Sequence, residues 1–176
     1  MRVLVTGGSG FVGSHLIERL IARSDRVRAP VRSPRGRDYV SSLDAEPING
    51  DLDDGTSLAA ACEECEVVYH CAARVDFEGS EAEFQRTTVE ARGGLSWPHG
   101  RSASDGFCKV SSCGVYHPDL LLKGAVSEST ISARHRPIGL LRPLKYRAEE
   151  IVRDECGKWS GSLFVWAIST ARETAS

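Results

Sequence analysis

The sequence lacks several features that mark common classes of protein. No apolar run approaches the roughly 20 residues that cross a bilayer, and the start, MRVLVTGG, becomes glycine-rich too early for a signal peptide. The net charge of −2 shows no excess of positive charge for binding nucleic acid or an anionic membrane. We therefore expect a cytoplasmic protein that binds neither nucleic acid nor a membrane.

Metal-binding and disulfide patterns are also scarce. The histidines form no HExxH motif, and the CxxC formed by Cys62 and Cys65 has no second pair at zinc-finger spacing. The six cysteines show no spacing typical of a disulfide scaffold, so we expect reduced, mostly buried thiols and no metal. With 176 residues, 41% of them hydrophobic, the chain is long enough for one domain with a hydrophobic core.

Segments typical of strands and helices alternate along the N-terminal part. Short apolar runs predict strands, and an apolar stripe at helical spacing predicts a helix lying on a sheet. The predicted strands are 2–6, 27–31, 46–50 and 67–70, and the predicted helices are 11–24 and 56–65. Pro30 weakens the second strand and favours an outer position or an early end. This alternation predicts an α/β fold with a doubly wound parallel sheet.

Gly7, Gly10 and Gly13 form a GxxGxxG motif between the first predicted strand and the first helix. In this context the first glycine permits a tight turn, and the second lets the backbone approach a pyrophosphate. The third lets the helix pack closely on the strand, so that N–H groups at the helix start face the phosphates. A glycine-rich turn without a ligand is the alternative interpretation. The other common phosphate loop, GxxxxGK[ST], is absent from the sequence.

The end of the second predicted strand carries arginine rather than an acidic residue. Dinucleotide folds commonly place an acid there, where it accepts hydrogen bonds from ribose hydroxyls. Arg32, helped by Arg35 or Arg37, would instead pair with a 2′-phosphate, because a guanidinium group matches phosphate oxygens. The sequence therefore favours NADP over NAD as the cofactor. A solvated basic loop is the alternative.

Four motifs stand in an order and spacing that resemble one family. They are TGGSGFVG (6–13), GDLDD (50–54), HCAARV (70–75) and VSSCGVYHP (110–118). The chain resembles the extended short-chain dehydrogenase/reductases, the NAD-dependent epimerase/dehydratase group. The resemblance is strongest to the 3β-hydroxysteroid dehydrogenase and dihydroflavonol-reductase-like branch.

The resemblance implies an enzyme that uses NAD(P) and acts on a hydroxyl or carbonyl of a small molecule, as an oxidoreductase, epimerase or dehydratase. It implies a single Rossmann-like domain over residues 1–176, with 92–107 and 129–143 irregular. It also implies that the C-terminal part that binds the substrate is missing, so the substrate is not identified. A homodimer through the helix that residues 92–107 would interrupt and the helix after Lys145 is a further expectation.

The resemblance also implies which residues hold the cofactor. The loop that would bind the pyrophosphate comprises Gly7, Gly10, Phe11, Val12 and Gly13. Asp51 and Leu52 would meet the adenine, with the Asp51 carboxylate accepting from its amino group. Cys71, Ala72 and Ala73 would line the ribose, where small side chains permit close approach. The alternatives are a turn role for Asp51 and simple sheet packing for the two alanines.

The chemistry of the family uses a serine or threonine, a tyrosine and a lysine. The tyrosine exchanges a proton with the substrate oxygen, the lysine lowers the phenol pKa, and the serine orients the substrate. Ser112, with Ser111 as the neighbouring alternative, matches the serine. Lys145 matches the lysine, which would also contact the cofactor. A strand-end hydroxyl and an exposed lysine at a helix start are the alternatives.

The tyrosine is absent from its expected position. It should precede Lys145 by four residues on the same helix face, but Leu141 stands there. Ile138 is the other candidate position, and neither side chain transfers a proton. Tyr116 and Tyr146 are poor substitutes. Tyr116 belongs to the serine motif, and Tyr146 is adjacent to Lys145 rather than one helical turn away. The sequence thus leaves activity open, with a non-catalytic dinucleotide-binding module or an inactive fragment as the alternative.

The stretch 92–107 departs most clearly from the family pattern, because its four glycines and one proline disfavour the expected helix. Two interpretations stand for this stretch and for the residues before Lys145. One is a pair of compensating reading-frame shifts, and the other is a genuine divergent insertion. Translating the gene in its other two frames separates them, since a shift predicts an amphipathic helix and a tyrosine there.

Overall fold

The computed structural model describes residues 1–73, 106–111, 147–150 and 152, together with the backbone of 162–167. Its strands are β1 Arg2–Thr6, β2 Arg26–Val31, β3 Glu46–Asn49, β4 Val67–His70, β5 Gly106–Ser111 and β6 Ser162–Ala167. Its helices are α1 Phe11–Ala22, α2 Pro34–Ser42 and α3 Gly55–Cys62. Residues 147–150 and 152 are also helical.

The described strands form one parallel sheet in the order β3-β2-β1-β4-β5-β6. The chain builds outward from β1 to β3 and then returns to the other side of β1 with β4. The strand order therefore reverses between β1 and β4, and ligands of open α/β sheets bind at such a point, outside the carboxyl ends of the strands. The predicted doubly wound α/β fold is confirmed.

Two clusters of buried hydrophobic residues cover the two faces of the sheet. One cluster packs α1 and α2 on the sheet and contains Val3, Val5, Ile17, Leu20, Val27, Ala29, Val31, Val40 and Ala45. The other cluster packs α3 and the helical residue Val152 on the opposite face. It contains Leu4, Leu58, Ala61, Cys62, Cys65, Val68, Phe107 and Val152. Burying each large aliphatic side chain contributes about 1.5–3 kcal/mol, so these two clusters fix the sheet.

The predicted helices are present but end earlier than predicted. The first ends at Ala22 because Ser24 adopts a left-handed conformation with φ 65°. The second starts at Gly55, where the Asp54 side chain caps it, and ends at Cys62, two residues before Glu64 at φ 62°. Backbone with positive φ cannot continue a right-handed helix.

The prediction of an outer position for the second strand is wrong. β2 lies between β1 and β3, and Pro30 pairs with Ile48 of β3. The register with β1 ends at Arg28, opposite Leu4. Pro30 therefore lies past the end of that ladder, where its missing N–H interrupts no pairing with β1.

Helix α2 includes Arg35 and Arg37, for which a solvated basic loop was the alternative interpretation. Its signals are Ser33, whose side chain accepts from the Gly36 N–H, and Pro34 in the first turn. β5 begins at Gly106, inside the stretch 92–107 that was predicted to be irregular. That prediction is wrong for the last two residues of the stretch, which belong to a strand. The rest of 92–107, and all of 129–143, lie outside the described residues.

Candidate functional site

The loop after β1 is fixed by two glycines that admit no side chain. Gly7 has φ 69°, and a Cβ there would lie 2.7 Å from the backbone nitrogen of Ala72. A Cβ on Gly13 would lie 2.2 Å from the carbonyl oxygen of Gly7. The start of α1 thus packs directly on the loop, and the loop packs directly on the residues after β4.

Gly10 differs from these two glycines because its missing Cβ faces open space. A Cβ there would meet one neighbour, the Gly7 carbonyl oxygen at 3.3 Å. The Gly10 N–H donates to that same oxygen at 2.9 Å, and α1 begins at the next residue without a side-chain cap. The uncapped start of a helix favours an anion. A methyl group on Gly10 would therefore occupy space beside the uncapped start of α1.

Phe11 and Val12, at the start of α1, do not line the cleft. The Phe11 side chain is exposed, with its ring 4.7 Å from the ring of His15. Neither residue lines the cleft, and neither does Gly13, which is buried beneath the loop. That Phe11, Val12 and Gly13 hold the pyrophosphate remains a prediction. Their backbone N–H groups at the start of α1 are the atoms that would do so.

One cleft of about 560 Å³ collects most of the predicted cofactor residues. It lies along the carboxyl ends of β1, β2, β3 and β4. Its lining residues are Thr6, Gly7, Ser9, Gly10, Pro30, Val31, Arg32, Gly50, Asp51, Leu52, Asp53, Cys71, Ala72 and Ala73. Residues from three separate motifs therefore face one another across a single cleft, which is large enough for part of a dinucleotide.

Arg32 and Asp51 stand together at the mouth of the cleft. The Arg32 guanidinium lies 4.0 Å from Asp51 Oδ1, with 73% of the Arg32 side chain and 43% of the Asp51 side chain exposed. An exposed ion pair of this kind contributes little to stability, so Arg32 can turn to another anion at low cost. Arg37 instead donates to Asn49 Oδ1 and to the Pro47 carbonyl, and this directs it toward β3.

Asp51 also belongs to a turn that leads into α3. Its Oδ1 accepts from the Asp53 N–H at 3.1 Å, and its own N–H donates to Ser57 Oγ at 3.2 Å. Leu52 is half-buried and packs against the cluster below the sheet. The turn interpretation of Asp51 is therefore correct, and the same turn places its carboxylate on the cleft.

The residues after β4 line the cleft and lie directly against the glycine loop. The Cys71 N–H donates to the Thr6 carbonyl, and the Ala72 N–H donates to Thr6 Oγ1 at 3.3 Å. Burial, with a smaller contribution from nearby Cys108, raises the pKa of the Cys71 thiol to about 12. Cys71 is therefore a neutral thiol at physiological pH and acts in the cleft as a small side chain.

The predicted catalytic serine and lysine, Ser112 and Lys145, lie outside the described residues. Their described neighbours are in contact. The buried Ser111 hydroxyl donates to the buried Glu149 carboxylate, which joins the end of β5 to the helical segment 147–150. Ser111 was the alternative to Ser112 as the serine that orients the substrate. Because its hydroxyl is buried against Glu149, Ser111 does not suit that role.

Three residues of this region were missed in the sequence. Thr6 and His70 are buried side by side at the ends of β1 and β4, and Glu149 is buried against Ser111. Thr6 and His70 could have been found from the sequence, because each is the last residue of a predicted strand and the first residue of a family motif. Glu149 had no such signal, because one acidic residue in a charged helix does not reveal its burial.

Within the described part of the chain, no group of three or more His, Cys, Asp or Glu side chains could hold a metal ion. Four cysteines there are free thiols, with Cys62 and Cys65 buried and Cys71 and Cys108 half-buried. None of the described helices is long and apolar enough to cross a membrane.

A doubly wound parallel sheet with a glycine loop at its switch point defines the class of Rossmann-fold domains. The sequence profile of the NAD dependent epimerase/dehydratase family matches residues 3–130. The chain belongs to this family, as its motifs predicted. The chain is also similar to a 3-beta-hydroxysteroid dehydrogenase of Mycolicibacterium neoaurum and to dihydroflavonol 4-reductases of Solanum lycopersicum and Dianthus caryophyllus, which represent the branch that its motifs resemble.

Among characterised relatives, the chain is 42% identical over 89 residues to a 4-hydroxy-2-methyl-3-oxo-4-farnesyl-3,4-dihydroquinoline-1-oxide ketoreductase of Stigmatella aurantiaca. That match covers 51% of this chain and 27% of the relative. It is 34% identical over 117 residues to a decarboxylating sterol-4-alpha-carboxylate 3-dehydrogenase of Dictyostelium discoideum, covering 64% of this chain and 36% of the relative.

The fold is similar to that of a short-chain dehydrogenase/reductase superfamily protein from Agrobacterium tumefaciens, solved with bound NAD. The TM-score is 0.76 at 24% identity, and the match covers 94% of this chain and 48% of that protein. The chain thus spans about half the length of that solved structure and roughly a third or less of the two curated relatives.

Proposed function

We propose that the cleft binds a dinucleotide, and that it prefers NADP to NAD. The observation that carries the proposal is the convergence of Gly10, Arg32, Asp51 and Ala72 on one cleft at the switch point of the sheet. Gly10 leaves room for a pyrophosphate, Asp51 presents a carboxylate for the adenine amino group, and Ala72 leaves room for a ribose. Arg32 supplies a guanidinium for a 2′-phosphate.

The preference for NADP rests on Arg32. This side chain is exposed at the cleft mouth and held only by a weak ion pair, whereas Arg37 is directed toward β3. No acid follows β2 at the position where NAD-binding domains accept from the ribose hydroxyls. A 2′-phosphate therefore finds a partner here that a 2′-hydroxyl does not.

Titration of the protein with NADPH and NADH, followed by fluorescence, tests the proposal. A charge-assisted hydrogen bond contributes about 1.5–3 kcal/mol. Because Arg32 is largely exposed, we expect the lower end, so Arg32→Ala weakens NADPH binding about tenfold and leaves NADH binding nearly unchanged. Arg26→Ala is the matched control, since it removes the same charge from the opposite end of β2. Equal losses for both nucleotides, or an equal loss in the control, contradict the NADP preference.

For the whole protein we propose an oxidoreductase, epimerase or dehydratase that acts on a hydroxyl or carbonyl of a small molecule. NADP, when bound, supplies or accepts a hydride. Ser112 would orient the substrate oxygen, and Lys145 would hold a positive charge beside the cofactor ribose and the proton donor. The bond from Ser111 to Glu149 supports this arrangement, because it ties together the two segments that precede Ser112 and follow Lys145.

A non-catalytic dinucleotide-binding module is the second candidate, and Leu141 favours it. A leucine four residues before Lys145 cannot exchange a proton. If only the tyrosine is lacking, Leu141→Tyr or Ile138→Tyr should give oxidation of NADPH with a ketone substrate that the parent chain does not reduce. Leu140→Tyr is the matched control. Tight NADPH binding with no turnover in either variant would favour the binding module.

Two further expectations remain proposals. A homodimer is tested by sedimentation of the purified chain, and a cytoplasmic location is tested by fractionation of cells that express it. Neither affects the test of the cleft, because every described residue that lines it belongs to one chain.

A further inference from the structure

His70 and Thr6 are paired side by side where β4 and β1 end. They are register partners in the parallel sheet, and they are 2% and 1% exposed. His70 Nδ1 lies 2.8 Å from Thr6 Oγ1. The ring of Phe107 stacks on His70 with a centroid distance of 6.3 Å and an interplanar angle of 25°, which restricts the orientation of the imidazole.

Thr6 Oγ1 has a second partner that belongs to the cleft. The Ala72 N–H donates to it at 3.3 Å. The same peptide nitrogen would lie 2.7 Å from a Cβ on Gly7, so it marks the closest approach between the two loops that face the cleft. Thr6 Oγ1 therefore fixes the loop after β4 at the point where it touches the glycine loop.

The direction of these bonds follows from what each atom can do. A hydroxyl donates one hydrogen bond and accepts up to two, and a neutral imidazole carries one donor and one acceptor nitrogen. Since Thr6 Oγ1 accepts from Ala72, its proton is satisfied within this pair only when His70 Nδ1 accepts it. That arrangement requires the proton of the neutral imidazole to reside on Nε2.

We propose that His70 is a positioning residue for the dinucleotide site. Its Nδ1 accepts from the Thr6 hydroxyl, and this orients the hydroxyl lone pairs toward Ala72 and holds residues 71–73 against the glycine loop. The inference rests on the proposed dinucleotide site for its consequence in binding. The geometry that it asserts is present without any ligand.

Four variants of the full chain separate the hydrogen bond from mere packing. His70→Phe and Thr6→Val keep most of the volume and remove the acceptor or the hydroxyl. His70→Asn and Thr6→Ser are the matched conservative variants, because an asparagine Oδ1 can take the place of Nδ1 and serine keeps the hydroxyl. The readouts are hydrogen exchange of the Ala72 amide by NMR, the affinity for NADPH, and the 15N signature of the His70 ring.

We expect the Ala72 amide to exchange roughly tenfold faster in His70→Phe and Thr6→Val, the factor that corresponds to about 1.4 kcal/mol for a half-buried donor whose hydrogen bond is weakened or lost. NADPH should bind more weakly by a similar factor. His70→Asn and Thr6→Ser should recover most of both effects. In the parent chain, Nδ1 should be unprotonated and Nε2 protonated at neutral pH.

Unchanged exchange of Ala72 in Thr6→Val or His70→Phe overturns the proposal, as does a proton on Nδ1 in the parent chain. If His70→Phe does not fold, the pair Thr6→Ser and Thr6→Val decides. If the parent chain binds no dinucleotide, the proposed function fails, while the exchange and 15N measurements still decide the role of His70. If NADPH affinity falls equally in all four variants, packing rather than the hydrogen bond is responsible.

Discussion

The contrast between Gly13 and Gly10 gives the sharpest prediction about the candidate site. A Cβ on Gly13 would lie 2.2 Å from the Gly7 carbonyl oxygen and 2.9 Å from the Gly8 Cα. Both are backbone atoms that cannot rotate away, so the start of α1 or the glycine loop must move. A Cβ on Gly10, which lines the cleft, would meet only the Gly7 oxygen at 3.3 Å. The two substitutions should therefore have different effects.

Alanine in a helix is favoured over glycine by about 1 kcal/mol, but overpacking a close contact costs about 1–3 kcal/mol and more when only backbone can yield. We expect Gly13→Ala to lower the free energy of unfolding by about 2 kcal/mol and to weaken NADPH binding as well. Gly10→Ala should change stability by less than about 0.5 kcal/mol and still weaken NADPH binding at least tenfold, because its methyl group projects where the pyrophosphate would approach.

Urea unfolding followed by tryptophan fluorescence and circular dichroism measures the first effect, and NADPH titration measures the second. Gly106→Ala is the control, because its Cβ would make only ordinary contacts with Val67 at 3.7 and 3.8 Å. A stable Gly13→Ala protein that binds NADPH like the parent chain would refute the packing argument. Normal binding by Gly10→Ala would refute the assignment of the loop as the phosphate site.

Two other predictions concern stability. Asp54 caps α3 by accepting from the N–H groups of Thr56 and Ser57, so Asp54→Ala should lower the urea midpoint by an amount equivalent to about 1 kcal/mol, whereas Asp53→Ala should not. Burial, reinforced by nearby Cys65, raises the pKa of the Cys62 thiol to about 12 from 9.0. The thiol then stays neutral in the fold but ionises in the unfolded chain, so this contribution to stability is complete below pH 9 and is lost as the pH rises toward 12. Unfolding measured across that range should show a smaller loss for Cys62→Ala, and an identical pH dependence would count against a buried thiol.

The N-terminal half of the fold could be predicted because each of its elements carries a local signal. β1 and β4 are short apolar runs whose bounds match the prediction, and α1 has apolar residues such as Ile17 and Leu20 at helical spacing. The ends of the helices were less predictable, since Ser24 and Glu64 adopt positive φ without being glycine or asparagine. Such conformations are set by the packing of the following strand.

The position of β2 shows why tertiary context can override a residue preference. Proline is usual at sheet edges, yet Pro30 lies in a strand with neighbours on both sides. The register decides this, because the ladder with β1 ends before Pro30 is reached. A sequence pattern reports a residue's preference but not how far the ladder with a neighbouring strand extends, and so the outer position was predicted wrongly.

The candidate cleft was predictable in its members but not in its supports. Gly7, Gly10, Arg32, Asp51 and Ala72 belong to motifs whose chemistry is visible in the sequence. Thr6 lines the cleft, and His70 supports it through a contact between strands far apart in the chain. Such contacts depend on the sheet order, which no local pattern records.

All described residues that line the cleft lie between Thr6 and Ala73. The proposed nucleotide site is therefore encoded in one uninterrupted stretch that precedes residues 92–107 and 129–143. Sequence changes downstream of Ala73 could therefore leave every described residue that lines the cleft in place. For evolution, this means that the proposed cofactor specificity can be conserved while the sequence after Ala73 diverges.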